Sequence, residues 1–430
     1  MVNFVKKVLL SLLVLSLLLS AAGCGTSAPS PSSQGAAATF TPEPTATPSP
    51  SPEPTPSPSP TPEPTAKELT ETMELSDNYG GYLSFLTDGD LESWVTYKYG
   101  TEIYIDSEEE IGSLYICWFR IPLLYATVRC GGASFPAAEN GYIYEYIELP
   151  EPTRHVELAF SARSEISEIR IFGVGAPPPD VQVWEPPLEQ ADVLVFPTHA
   201  DDDVIFFGGL IADCVDRGLA VQLCFMVEHF DIMGYPGKVR TQEMLSGLWE
   251  MGIRNYPIIG PFQDHFLKSL ESAKEIFQED KVIEFQVEQI RRFKPLVVVG
   301  HDRYGEYGHA AHQLNAQCLE QAVPLAADPE AFPKAFSRWG AWDTPKFYLH
   351  YAPENQIIID VETPLETFGG RTAFEVAKDA MEYHVSQLRY PHRPTLDDPE
   401  FPRYDCRKFG LIRTNVGYDT GNDIMENTGW

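Results

Sequence analysis

ADVLVFPTHADDDVIFFGGLIADCV, residues 191–215, reads as an apolar strand, a polar turn and an apolar helical stretch in immediate succession. Two more strand-like runs follow, AVQLCFMV at 220–227 and PLVVVG at 295–300, with helical patterns between them. Strands alternating with helical stretches of about ten residues or more predict right-handed crossovers and a Rossmann-like α/β domain with a mostly parallel sheet. In such sheets ligands bind beyond the carboxyl ends of the strands, so chemistry is sought in the residues that end each strand.

Those residues are polar. Thr198, His199, Ala200, Asp201, Asp202 and Asp203 follow the first strand. Three consecutive carboxylates at a partly desolvated strand end repel one another unless a cation sits among them. Zinc takes nitrogen from His and oxygen from Asp at about 2.0–2.2 Å, and catalytic zinc takes three protein ligands plus water. A lone His at a strand end is more often structural, but the company of three carboxylates makes that reading of His199 improbable. The third strand leads into HDRYGEYGHAAH, residues 301–312, where His309 and His312 stand three apart at the predicted start of a helix and share a face. One ligand and one helper fit there. His301, Asp302 and Glu306 are read as support for the site, and Glu228 with His229 lie at the same sheet edge. KDAMEYHVSQ, residues 378–387, predicts an amphipathic helix with its Met and aromatic in the core.

Upstream, between Leu69 and Val174, the runs YLSFLTDGD, EIYIDSE, SLYICWF, YIYEYIEL, HVELAFS and EIRIFGV alternate with turn residues. Short strands at this spacing predict an all-β sandwich over 68–176, divided by GAPPPD (175–180) from the α/β domain at 188–430. The LTDGD turn at 86–90, Trp94 and the closing EISEIRIFGV resemble galactose-binding-like sandwiches of the discoidin type. That resemblance implies glycan contacts through end-loop aromatics, with Trp94, Tyr97 and Tyr99 as candidates; packing of the core or a domain interface is an equal expectation for them.

The first segment reads as an address. Lys6 and Lys7 precede an apolar run from Val8 to Leu19, shorter than the roughly 20 residues that span a bilayer, and small residues lead to Cys24. Residues 1–23 resemble a bacterial lipoprotein signal, which implies a lipidated Cys24 and a chain held on the outer, extracytoplasmic face of the membrane; Ala21 stands where that pattern usually carries Leu. Residues 24–67, with TPEPTATPSPSPEPTPSPSPTPEPT at 41–65, predict an extended stalk at about 3.1 Å per residue, on the order of 100 Å in all. Of the other cysteines, only Cys117 with Cys130 makes a plausible bridge, the rest reading as buried thiols. With 62 Asp and Glu against 31 Lys and Arg, a net of -31, the chain repels nucleic acid and anionic membrane surface, so membrane attachment falls to the lipid anchor alone.

Taken together and in order, THADDD, RTQEMLSGLWEMG (240–252) and GEYGHAAH (305–312) resemble the PIG-L (LmbE-like) family of zinc-dependent N-acetylglucosaminyl de-N-acetylases. The resemblance implies zinc, or another divalent metal, on His199, Asp202 and His312. It implies Asp201 as general base, a positively charged His309 to polarise the oxyanion or protonate the leaving amine, and Arg240 and Asp264 facing an N-acetylated amino sugar or glycan. There are departures: Ala200 and Asp203 replace the Pro and Glu of the usual His-Pro-Asp-Asp-Glu, and Ala310 and Ala311 stand where Pro and Asp are common. Asp203, one methylene shorter, is expected to alter support of a ligand rather than the ligand set. No G-x-S-x-G elbow and no G-x-G-x-x-G follows a strand, which sets aside serine hydrolases and dinucleotide enzymes. Two alternatives stay open: a non-catalytic surface glycan-binding lipoprotein, and a deacylase of an acylated amine that is not a sugar.

Overall fold

The computed structural model describes residues 63–122, 124–228 and 237–430. The signal peptide, Cys24, the stalk up to residue 62 and His229 lie outside the described residues.

Strands β1 (Glu74–Asp77), β2 (Val95–Tyr97), β3 (Glu102–Arg120), β4 (Ala126–Cys130), β5 (Ala133–Ala137), β6 (Tyr144–Phe160) and β7 (Ser164–Phe172) form one antiparallel sheet. Its order is β2-β7-β3-β6-β4-β5, with β1 beside β3. The two longest strands, β3 and β6, cross the whole sheet. The register of β3 on β6 breaks between Asp106 and Ile111, where Glu108, Glu109 and Glu110 point to solvent. Before the break β3 pairs with β1 and the far half of β6; after it, with the near half of β6 and with β7. The bent sheet thus encloses Ile103, Ile105, Leu114, Ile116, Trp118, Val156 and Leu158 in one core.

After the break the outward alternate positions of β3 are buried as well. Tyr115 and Cys117, with Tyr144 and Phe172, pack into the apolar cluster of the α/β part. A strand covered on both faces loses its polar alternation, which is why SLYICWF is apolar throughout. The expected bridge between Cys117 and Cys130 is not formed: Cys130 lies in the enclosed core, Cys117 faces the other way, and both are free thiols. Tyr97 is wholly buried against Phe160. It therefore drops out as a glycan contact, whereas Trp94 and Tyr99 are exposed.

The second sheet runs β10-β9-β8-β11-β12-β14-β13. Its strands are β8 (Val193–Phe196), β9 (Val221–Glu228), β10 (Ile258–Gln263), β11 (Val297–Gly300), β12 (Lys346–His350), β13 (Gln356–Ile358) and β14 (Lys408–Thr414). Strands β8 to β12 pair in parallel; β14 runs antiparallel to β12 and β13. Alternate residues of β8 feed opposite layers. Val193 and Val195 meet the helices α1 (Asp202–Ile205), α2 (Gly208–Asp216), α3 (Gly237–Glu250) and α8 (Ala373–Met381). Leu194 and Phe196 meet α4 (Leu270–Phe277), α5 (Glu279–Phe293) and α6 (Ala310–Ala327). A short α7 (Pro333–Trp339) follows α6. The helix read from VIFFGGLIADCV is two pieces, α1 and α2, interrupted at Phe206 and Phe207, whose rings turn onto His301 and His350.

Aromatic rings join the two sheets. Tyr142 stacks on Tyr256 with ring centroids 4.4 Å apart, the Tyr256 hydroxyl accepts the Ile143 N–H at 3.2 Å, and Trp184 meets Tyr256 and Trp249 edge-on. Each such pair contributes about 0.5–1.5 kcal/mol beyond the area it buries.

Candidate metal centre

The turn after β8 wraps round one carboxylate oxygen. Asp202 Oδ2 accepts the backbone N–H of His199 at 2.6 Å and that of Thr198 at 3.2 Å. Asp202 thereby fixes the turn that presents His199, and the backbone at Asp201 is bent to φ 157°, a conformation L residues rarely adopt. From the other side α6 begins at His309 and carries His312 one turn in, so the three-residue spacing brings both imidazoles to the strand ends.

Three atoms converge there. His199 Nδ1 lies 3.0 Å from His312 Nε2 and 3.2 Å from Asp202 Oδ2, and the last two are 3.2 Å apart. Tetrahedral bonds of about 2.1 Å would set ligand atoms about 3.4 Å apart, close to this triangle. The charge of the cluster points the same way. Burial alone would raise Asp202, yet the neighbouring His312, His301 and His199 hold it well below the ordinary carboxylate range. Glu306 is likewise held low against burial by His301 and His312. Buried carboxylates that need positive charge among them fit a divalent cation. His301 is less suited as a ligand: its Nε2 accepts the Thr198 N–H at 3.0 Å and its Nδ1 faces Glu306 Oε1 at 2.9 Å.

Glu306 is the hub behind the triangle. Its two oxygens meet His312 Nδ1 at 2.7 Å, His301 Nδ1 at 2.9 Å and His350 Nδ1 at 3.3 Å, and it accepts the Asp302 N–H at 2.9 Å. With Nδ1–H given to Glu306, His312 presents the lone pair of Nε2 to the triangle, the arrangement that orients metal-binding imidazoles. Glu306 itself takes φ 50°, next to Gly305 at φ 70°, where a Cβ would lie 2.5 Å from the His309 carbonyl; only glycine fits.

Asp201 stands beside the triangle. The Arg240 guanidinium donates to its Oδ1 at 2.6 Å and to the Ala200 carbonyl at 2.8 Å. Burial pushes Asp201 up to about 6, with Arg240 opposing. Arg240 is thus committed to Asp201 as well as facing Asp264 at 3.8 Å, and Asp264 lies 3.6 Å from His199 Nε2.

Burial, reinforced by the neighbouring His199 and His312, pushes His309 down to about 2. Its Nδ1 is buried without a hydrogen-bond partner among the described residues. Asp203 is wholly buried, neither oxygen has a partner among the described residues, and burial raises it well above the carboxylate range.

Sequence reasoning missed His350, Arg403, His392 and Tyr404. His350 ends β12 and joins the Glu306 hub, Arg403 pairs with Asp302, and the Tyr404 hydroxyl meets His392 Nδ1 at 2.6 Å with Tyr307 stacked on the same imidazole. KFYLH at 346–350 obeys the strand-end rule and signals His350; nothing comparable marks the other three.

Residues 194–323 match the family model of the GlcNAc-PI de-N-acetylases, PIG-L. A 1D-myo-inositol 2-acetamido-2-deoxy-alpha-D-glucopyranoside deacetylase of Saccharopolyspora erythraea is 29% identical over 266 residues, 53% of this chain and 96% of the relative. A deacetylase of the same description from Rhodococcus erythropolis is 29% identical over 178 residues, 36% of this chain and 59% of the relative. Among solved structures, the N,N'-diacetylchitobiose deacetylase of Pyrococcus horikoshii is 20% identical, with a TM-score of 0.34 over 47% of this chain and 73% of its own. The α/β part is that of a de-N-acetylase hydrolase.

Proposed function

We propose that the chain is an extracytoplasmic, lipid-anchored, zinc-dependent hydrolase that removes an N-acetyl group from an amino sugar. The convergence of His199 Nδ1, Asp202 Oδ2 and His312 Nε2 beside Asp201 carries this reading. The family match and the deacetylase relatives support the amino-sugar substrate. The charge-apolar-small order ending at Cys24 supports the anchor, and the antiparallel sheet is assigned to a galactose-binding-like module of the discoidin type.

His199, Asp202 and His312 would hold the metal, which when bound acts as a Lewis acid and lowers the pKa of water towards about 7. Asp201 takes the proton of the attacking water through the oxygen that Arg240 does not hold; Arg240 keeps that carboxylate from swinging away. His309 would offer a ring N–H to the oxygen of the amide, and the proton that Asp201 took passes to the nitrogen as the C–N bond breaks. Acetate and a free amine result.

Acetate release from N-acetylglucosamine oligomers and cell-wall fragments, with zinc restored, tests the reading against an Asp201→Asn variant. Wild-type release that drops about 10²–10⁴-fold in the variant at equal zinc content supports it. One bound zinc with no release turns the assignment to another acylated amine; neither zinc nor release turns it to glycan binding alone.

A further inference from the structure

A wall of aromatic rings beside the metal centre joins Tyr307 to the last quarter of the chain. Tyr307 meets the imidazoles of His309 and His312 edge-on, with centroids 5.6 Å away in each case. Its ring lies on His392 at 5.1 Å and 18° from coplanar, and Tyr390 flanks the same imidazole at 6.1 Å. His392 is half-buried, while Tyr307 and Tyr390 are 49% and 40% exposed, so the wall is open to solvent. One atom of it has a fixed hydrogen-bonding sense. The Tyr404 hydroxyl lies 2.6 Å from His392 Nδ1 and meets no other hydrogen-bond partner among the described residues. Tyr404 is 3% exposed, and burial pushes its hydroxyl up, away from ionisation. Were Nδ1 to carry the hydrogen, that buried hydroxyl would be left with nothing to donate to. The hydroxyl therefore donates to Nδ1. The imidazole, whose pKa burial lowers, is neutral and carries its hydrogen on Nε2, which has no partner among the described residues.

We propose that His392 Nε2–H donates to an oxygen of the sugar whose N-acetyl group lies at the metal centre, and that this contact selects sugars over other acetylated amines. The proposal rests on the deacetylase reading of the metal centre. The interval between His312 and His392 is the width of one ring, Tyr307. A pyranose, similar in size, reaches from one to the other when its apolar face is laid against that ring. Its rim of hydroxyl and ring oxygens then supplies acceptors for Nε2–H, and an acetylated amine that is not a sugar supplies none. Arg240 is committed to Asp201 and the Ala200 carbonyl, so a donor for the sugar has to come from elsewhere. A site built round a hydrogen bond to the substrate rejects an analogue without the acceptor, because its own donor is then left unpaired. Tyr404 acts through His392 and is a positioning residue.

The test measures acetate release from N-acetylglucosamine and from N-acetylcyclohexylamine, which has a ring of the same size and no hydroxyls. The full chain loaded with zinc is compared as wild type, His392→Ala and Tyr404→Phe. The sugar-to-cyclohexyl ratio of kcat/KM is expected to be about 100-fold or more in wild type. It should fall about tenfold in His392→Ala, chiefly through a higher KM for the sugar, and several-fold in Tyr404→Phe. Nitrogen NMR of His392 should show the hydrogen on Nε2 in wild type and a mixture of tautomers in Tyr404→Phe. A ratio unchanged in His392→Ala, even with both activities lowered, overturns the proposal, as does a hydrogen on Nδ1 in wild type. Where only the sugar reacts, an unchanged KM overturns it. Should neither compound release acetate, the deacetylase reading falls and calorimetry decides the role of His392 by itself. N-acetylglucosamine bound about tenfold tighter by wild type than by His392→Ala sustains it; equal or undetectable binding overturns it.

Discussion

In the antiparallel sheet two buried carboxylates, Glu145 and Glu168, accept from neutral backbone and indole N–H donors. Glu145 accepts the Trp118 Nε1–H at 2.8 Å and the Ala138 N–H at 2.8 and 2.9 Å; Glu168 accepts the Gly89 N–H at 2.7 Å. At the ends of the parallel strands Asp201, Asp202, Asp203 and Glu306 crowd together with His199, His301, His309 and His312. A carboxylate matched to neutral donors is a local staple whose loss is felt as stability. A crowd of carboxylates and imidazoles has a charge that depends on what it binds, and its loss is felt as chemistry.

The sharpest break between the two regions lies at the triangle. His312→Ala should abolish stoichiometric metal binding and lower kcat/KM by about 10³-fold or more, read by metal analysis and acetate release. Retained metal at full occupancy would move the ligand set elsewhere. One step back, Glu306→Gln removes the acceptor that fixes the His312 tautomer and should weaken metal affinity by about 10–100-fold in a chelator competition, with the fold intact by circular dichroism. Glu145→Leu asks the opposite of the first sheet. It strands the Trp118 Nε1–H and the Ala138 N–H, so denaturant unfolding should show a loss of about 1–3 kcal/mol while metal content stays at wild type. A fall in metal content would contradict the division between the regions.

The smallest effect concerns Glu168, which burial pushes up to about 7 from an ordinary 4.5. A raised folded value means the folded state holds a proton that the unfolded chain gives up. The stabilisation is therefore full below about pH 4.5 and is lost as pH rises through about 7. Between about pH 5 and 8 the Tm of wild type should fall relative to that of Glu168→Gln by roughly a few degrees. Parallel pH curves for the two proteins would place the shift in the unfolded chain.

The turn after β8 was legible because its three demands sit within six residues: an apolar run to end a strand, a His and adjoining Asp residues. His309 and His312 were legible because one helical turn converts their spacing into a shared face. His350, His392, Arg403 and Tyr404 come from the last quarter of the chain, and only the packing of β12 and β14 brings that segment to the hub. The downward shift of His309 was not legible for a related reason: it depends on burial and on two neighbouring imidazoles that no local pattern reveals. In the first sheet the strands were visible but their bend was not, since EIYIDSE and SLYICWF read as separate strands where β3 is one.

The tyrosine and tryptophan layer between the sheets bears on the solubility of each half as much as on the stability of the whole. Tyr115, Tyr142, Tyr144, Trp184 and Tyr256 leave neither half with a face ready for water. Either half made without its companion would turn a sticky aromatic surface to water, so each is expected to be less soluble alone than joined.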